Sequence, residues 1–134
     1  MIPKEVVLNF FETICNQKDL ETAKQYLDED VLIHSMVGDY AGADSLVKVF
    51  DQWNQGFPDA VVSILLIINE ENMVILHFEA HGTQTGTFKE IPASQKTVKF
   101  SGAIYFKIQN EKITEMASYL DMKHLLSNLI VPIK

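Results

Sequence analysis

The stretch ITEMASYLD, residues 113–121, decides how this chain is interpreted. It alternates in character and ends in a carboxylate directly before an apolar C-terminal segment, which is typical of a strand that leads into a helix. Side chains on a strand point alternately to its two faces, so every second residue shares a side. One side then carries Glu115, Ala117, Tyr119 and Asp121. If that side lines a cavity, an acid stands at the cavity mouth, where general acid/base chemistry becomes possible.

Asp121 has two interpretations that the sequence leaves open. Beside a cavity it would be a general base. As the N-cap of a helix that begins at Met122, it would instead accept hydrogen bonds from the amides of Lys123 or His124. Such amide contacts stabilise the carboxylate anion and make it a weaker base.

Length and charge exclude several classes of protein. At 134 residues, 47% of them hydrophobic, the chain is long enough for one domain with a core, and we predict a single domain over residues 1–134. The net charge of −7 has the wrong sign for neutralising phosphates or docking on anionic lipid. We therefore expect no nucleic-acid partner and no membrane partner, whereas neutral or cationic small partners are unopposed.

Cysteine content and the start of the chain indicate the compartment. Cys15 is the only cysteine, so no intrachain disulfide can form and the chain does not depend on an oxidising environment. The first residues lack a basic segment followed by a long apolar run, so we expect no signal peptide. The longest apolar run, Ile64–Ile68, is too short to cross a bilayer. These features predict a cytoplasmic location.

Three helices are predicted in the first half of the chain. Apolar residues at helical spacing indicate the first over Glu5–Asn16. Asp19 is the expected N-cap of a short second helix, which the acidic stretch Asp28–Asp30 ends. The third should end at Gly56. Its buried line is Leu46, Val49, Phe50 and Trp53.

The remaining sequence is mostly strand. Val31–Met36 indicates a short strand, followed by a loop over Gly38–Gly42. Ala60–Ile68 is nearly continuous in apolar residues, and two alternating strands begin at Met73 and Thr97. Helices first and a meandering antiparallel sheet afterwards predict an α+β fold.

The strand from Met73 raises the question of a metal site, because His77, Glu79 and His81 share one face. That face lies opposite the apolar one, so we predict a solvated surface or a subunit contact there and no metal site. Aromatic side chains are expected in the core or in the wall of a pocket. They include Phe50, Trp53, Phe57 and Phe100.

Several short segments follow one another in an order that carries more information than any of them alone. They are His34, Phe57-Pro58-Asp59, GTQTGTF at 82–88, IPA at 91–93, KITE at 112–115, and Asp121 ahead of LLSNL at 125–129. In this order and spacing they resemble the SnoaL-like polyketide cyclase, or ester cyclase, family of the nuclear transport factor 2-like superfamily. The resemblance covers essentially the whole chain.

The resemblance implies a fold and a chemistry. The fold is cystatin-like: N-terminal helices pack on a strongly curved, mostly antiparallel sheet that forms a cone-shaped cavity. The aspartate matching Asp121 acts in such cyclases as base and then acid of an intramolecular aldol closure, without metal or organic cofactor. His34 is the second catalytic candidate, and Gln84 or Tyr119 could also donate a hydrogen bond to the enolate oxygen. A homodimer is expected on the same grounds.

The chain departs from the family pattern at three positions, where Gln84 replaces a histidine, His77 an arginine and Ala117 a tryptophan. Glutamine cannot titrate, and alanine would widen the cavity and remove a stacking wall. The predicted substrate-binding residues are Gln84, Tyr119, Trp53, Phe50, Phe57, Phe88, Phe100 and Ala117.

The sequence therefore favours a cyclase or isomerase type of enzyme that acts on a hydrophobic carbonyl compound. One alternative is a dehydratase or ketosteroid-type isomerase on the same scaffold. The other is a non-catalytic module that binds a ligand or a protein partner, for which the loss of a titratable side chain at Gln84 is the favouring feature.

Overall fold

Helices pack against one face of a six-stranded sheet, as predicted for an α+β fold. The computed structural model describes residues 1–35 and 38–129. The helices are α1 (Pro3–Phe11), α2 (Leu20–Ala23), α3 (Ala43–Gly56) and α4 (Met122–Leu129). The strands are β1 (Leu27–Ser35), β2 (Gly38–Ala41), β3 (Val61–Glu70), β4 (Met73–Thr83), β5 (Thr97–Gln109) and β6 (Lys112–Leu120).

The curved sheet has the spatial order β2-β1-β6-β5-β4-β3. Strands β3 to β6 form a meander of antiparallel pairs, and β2 is antiparallel to β1. The pair β1 and β6 is parallel and joins the N-terminal hairpin to the meander. This order places β6 in the interior of the sheet and leaves β3 as an edge strand.

The first predicted helix changes its winding halfway. Helix α1 buries Val6, Val7 and Phe10, and then continues as one turn of π-helix over Glu12–Asn16. Asn16 at the end of that turn donates to the Val62 carbonyl at 3.0 Å and accepts from the Val62 amide at 2.9 Å. Its side-chain amide thus takes the place of a neighbouring strand at the edge of β3.

The sequence prediction was wrong for the segment around β1 and β2. The acidic stretch Asp28–Asp30 lies within β1, where the pairing with β6 is shifted, and the predicted loop over Gly38–Gly42 is mostly β2. Glycine and aspartate favour loops locally, but pairing with β1 overrides that preference and sets Tyr40 opposite Ile33. Met36, the predicted end of the first strand, lies outside the described residues.

Other local predictions are confirmed. Asp19 caps α2 by accepting from the Thr22 amide at 3.1 Å. Strand β3 covers most of the predicted apolar strand Ala60–Ile68, and its outward side chains are exposed. A bulge at Leu65 adds to this exposure, since Ile64 pairs with Phe78 and Leu66 with His77.

Two buried clusters hold the helices on the inner face of the sheet. The larger joins α1 and α3 to the central strands through side chains such as Phe10, Leu76 and Phe106. The smaller holds α4 through Leu125 and Leu129. Among the described residues, no helix combines the length and apolar character needed to cross a membrane.

Candidate functional site

A cavity of about 130 Å³ lies between the helices and the inner face of the sheet. Helix α3 supplies one wall with Val49, Phe50 and Trp53, all of them half-buried. Alternating residues of the strands supply the opposite wall, because only one face of each strand points inward. These strand residues include Ile33, Tyr40, Phe78, Ala80, Phe100, Ile104, Met116, Ser118 and Leu120.

An aromatic cluster forms one end of the cavity. Trp53 stacks on Phe100 with ring centroids 5.4 Å apart and lies 6.1 Å from Phe57. Phe88 packs against Trp53 at 4.6 Å but does not line the cavity. Because each ring is held by its neighbours, this wall is largely fixed before any ligand arrives.

The polar groups that line the cavity are neutral. The lining residues with uncharged polar side chains include Tyr40, Asn54 and Ser118, and no carboxylate or imidazole of the described residues is among the lining side chains. Burial raises the pKa of the Tyr40 hydroxyl, so this group stays protonated at neutral pH. Cys15 also reaches the cavity, and burial raises the pKa of its thiol well above the usual range, so it is not a nucleophile.

Four of the predicted substrate-binding residues line this cavity, and four do not. Those that line it are Phe50, Trp53, Phe57 and Phe100; those that do not are Gln84, Phe88, Ala117 and Tyr119. Whether the lining residues contact a substrate stays a prediction. Tyr40, Asn54 and Ser118 are lining residues that the sequence analysis missed. Tyr40 was placed in a loop, and Ser118 on the side of β6 opposite the expected cavity.

The predicted orientation of β6 is wrong. Glu115, Ala117 and Tyr119 share a face as expected, but that face is the outer one, and Met116, Ser118 and Leu120 line the cavity.

A bulge explains why. Lys107 pairs with Glu115 and Ile108 with Ile113, so Thr114 is an extra residue that shifts the alternation by one. Tyr119 is consequently 57% exposed on the outer face. Ala117 is buried there between its sheet neighbours.

Asp121 is an exposed helix cap. Its Oδ1 accepts from the His124 amide at 2.8 Å, at the start of α4, and it is absent from the cavity wall. Of the two interpretations of this residue, the contact corresponds to the N-cap. Its chain neighbour Leu120 does line the cavity, so the carboxylate lies one residue from the wall.

Gln84 is fully buried but works within a loop. Its Nε2 donates to the Ile91 carbonyl at 3.0 Å, and its Oε1 accepts from the Ser94 amide at 3.1 Å. The Gln84 amide donates to the Lys96 carbonyl, and the Gln95 amide donates to the Gln84 carbonyl, which closes the same segment. The side chain therefore holds the loop between β4 and β5 together, which its amide can do with both a donor and an acceptor.

His34 lies on the outer face at the centre of a charged cluster. Its Nε2 is 2.9 Å from Glu115 Oε2, and its Nδ1 is 3.2 Å from Asp39 Oδ2. The two carboxylates raise the pKa of His34, chiefly through the hydrogen bond to Glu115. The same bond lowers the pKa of Glu115, to which Tyr105 also donates, at 3.4 Å. Because each ring nitrogen contacts a carboxylate, His34 has no free nitrogen with which to act as a base.

His77, Glu79 and His81 lie on the outer face, as the alternation predicts. Glu79 pairs with Lys99 at 3.4 Å. Within residues 1–35 and 38–129, no group of three or more potential ligands is placed to hold a metal ion.

Comparisons with solved structures define the class of fold. A candidate SnoaL-like polyketide cyclase from Jannaschia sp. CCS1 superposes with a TM-score of 0.91 at 18% identity, covering 98% of this chain and 93% of that one. AclR of Streptomyces galilaeus, a candidate hydroxylase, superposes with a TM-score of 0.86 at 22% identity, covering 98% of this chain and 84% of that one. IdmH of Streptomyces antibioticus, a candidate polyketide cyclase, superposes with a TM-score of 0.83 at 21% identity, covering 96% of this chain and 99% of that one. At these identities the likeness shows the fold, which is nuclear transport factor 2-like.

The sequence itself assigns the family. The model of the SnoaL-like polyketide cyclase family matches residues 5–129, and the chain belongs to that family. Membership supports a cyclase-type function. A search of curated proteins finds no match.

Proposed function

We propose that this protein binds a small hydrophobic molecule in the cavity between α3 and the sheet. The observation that carries the proposal is the apolar cavity of about 130 Å³ with its prepacked aromatic wall and neutral polar groups. Concave, mostly apolar sites with a few polar groups are the usual form of small-molecule sites.

Trp53 makes this proposal directly testable. It is the only tryptophan of the chain and it lines the cavity, so its fluorescence reports on occupancy. The test is a titration with neutral ketones of one to three rings, repeated on Ala80→Leu, which adds a branched side chain to the cavity wall. Ala103→Leu makes the same change on the outer face, where Ala103 lies opposite His77. Loss of binding in the first variant alone supports the proposal, and no binding by any ketone overturns it.

A second candidate function is cyclase-type proton transfer by Asp121. It is supported by family membership and by the position of Asp121 next to Leu120 in the cavity wall. In this reaction the carboxylate would take a proton from the carbon beside a carbonyl group and later return it. The carboxylate accepts from the His124 amide and is absent from the cavity wall, so the reaction requires a rearrangement that turns it from the start of α4 toward the cavity.

Exchange of α-protons separates binding from catalysis. Acetophenone in D₂O gains deuterium beside its carbonyl group only where a base removes the proton, and proton NMR follows the loss of that signal. If Asp121 is the base, the wild type accelerates exchange and Asp121→Asn does not, while both proteins bind the ketone. Acceleration that survives in Asp121→Asn contradicts the assignment.

His34 is proposed to hold the side chains of Asp39 and Glu115 in position on the outer face, because it contacts both carboxylates. Gln84 is proposed to act on the site only through the loop between β4 and β5. The homodimer and the cytoplasmic location stay predictions.

A further inference from the structure

We infer that the ligand is a neutral molecule with a single ring and one oxygen function. This inference rests on the proposed binding function and specifies the chemical class. Three features of the cavity carry it: its volume, the charge of its lining and the kind of polar group it offers.

The volume limits the ligand to about one ring. A cavity of roughly 150 Å³ lined by leucine, isoleucine and phenylalanine side chains accommodates benzene in another protein. The cavity here measures about 130 Å³ and has a similar lining, to which Phe11, Phe50 and Phe78 contribute. Fused ring systems would have to push apart rings that already touch, such as Trp53 and Phe100 at 5.4 Å.

The electrostatics exclude charged ligands. None of the described lining residues carries a charged side chain, and Glu115 and Asp121, each next in sequence to a lining residue, are engaged outside the cavity. A carboxylate or an ammonium group on the ligand would therefore lose its hydration without gaining a partner.

The polar groups favour one oxygen atom on the ligand. Tyr40, Ser118 and Asn54 line the cavity, and none of their hydroxyl or amide groups is hydrogen-bonded to another of the described side chains. Each can donate to a carbonyl or hydroxyl oxygen. A small aromatic ketone satisfies all three features at once.

The experiment compares four ligands by calorimetry, with Trp53 fluorescence to show that they occupy the cavity. Acetophenone has one ring, 1-acetonaphthone two and fluorenone three, and benzoate is a charged molecule of the size of acetophenone. We expect acetophenone to bind most tightly, with fluorenone and benzoate each weaker by about tenfold or more. Ala80→Leu should weaken acetophenone by a similar factor, and Ala103→Leu should leave it within about twofold. Val49→Phe, in the half-buried wall of α3, is the second filling variant in case Ala80→Leu misfolds.

The outcomes separate the two proposals. Fluorenone or benzoate binding as tightly as acetophenone, with the same sensitivity to the filling variant, overturns the single-ring inference and leaves cavity binding intact. Acetophenone binding that neither filling variant affects overturns the cavity as the site. The absence of binding by all four ligands overturns the proposed function itself.

Discussion

A single hydrogen bond gives Asp121 a structural role. The carboxylate accepts from the His124 amide at 2.8 Å, and that amide is one of those that a helix start cannot pair internally. An aspartate at the N-cap stabilises the start of a helix. The residue that the sequence analysis selected for chemistry therefore also fixes the helix that covers the smaller buried cluster.

Replacing the cap gives the first prediction. Asp121→Ala should lower the free energy of unfolding by about 1 kcal/mol, because the His124 amide loses its partner. Asp121→Asn should stay within about half a kcal/mol of the wild type, since asparagine caps equally well. Chemical denaturation of the three proteins measures both differences. Equal stability of the alanine variant would contradict the capping role.

The second prediction concerns the pH dependence of the outer-face cluster. The pKa of His34 is raised from 6.5, so the stability it contributes is complete below that value and is lost as pH rises through its folded pKa. The pKa of Glu115 is lowered from 4.5, so its contribution is present above that value and is lost as pH falls through its folded pKa. The difference in unfolding free energy between the wild type and His34→Gln should therefore be greatest between these two values.

Denaturation of both proteins across the pH range checks this window. His77→Gln is the control, because this exposed histidine lies outside the cluster. A difference for His34→Gln that does not change with pH would show that the cluster contributes packing rather than charge.

At the scale of elements, the sequence predicts the strands better than it predicts which way they face. The alternation in residues 115–121 is real, but both sides of β6 carry apolar residues, so alternation alone could not choose between Ala117 and Met116. The choice follows from the bulge at Thr114, which depends on pairing with β5. A register set by long-range pairing leaves little local signal, and for the same reason β2 was mistaken for a loop.

The residues of the candidate site were predictable from the sequence only in part, as were the orientations of the strands. Trp53 and Phe50 follow helical spacing in α3, and the sequence placed them in a core or a pocket wall. Ser118 was predictable only with the correct orientation of β6. Tyr40 was predictable only with the pairing of β2 to β1.

A third prediction concerns the contact between α3 and the loop after β4. Gly86 lies against the end of α3, and its amide donates to the Gly56 carbonyl at 3.3 Å. A Cβ atom at this position would overlap the carbonyl oxygen of Gln55, which belongs to a helix backbone and cannot move away.

Gly86→Ala should therefore destabilise the protein by about 1–3 kcal/mol. Thr85→Ala, at an exposed neighbour, should change stability by less than about 0.5 kcal/mol. Thermal unfolding of both variants and the wild type measures these differences in stability. A Gly86→Ala protein as stable as the wild type would mean that the loop can move away from α3.

At the scale of the whole molecule, the outer face of the sheet is the surface on which we expect a partner to bind. Large aliphatic side chains are exposed on β3 and the adjacent β4: Leu65 at 53%, Leu66 at 56%, Ile68 at 53% and Ile75 at 49%. Ile68 and Ile75 are direct neighbours across the two strands, so the exposed groups form a continuous patch. Patches of this kind mark interaction surfaces.

The fourth prediction is that this patch joins two copies of the chain. A net charge of −7 disfavours association through polar surface, so an apolar patch on each copy is the surface expected to offset that repulsion. In a two-fold dimer each copy contributes the same patch, so one substitution changes both halves of the interface. Ile75→Glu should therefore convert the dimer to a monomer by placing two like charges in the apolar contact, whereas Lys99→Glu, further along the same face and outside the patch, should leave a dimer. Analytical ultracentrifugation at micromolar concentration distinguishes the two states, and a wild-type protein that sediments as a monomer would contradict the prediction. Because the patch and the cavity lie on opposite faces of the sheet, the Ile75→Glu monomer should still bind acetophenone with the affinity of the wild type.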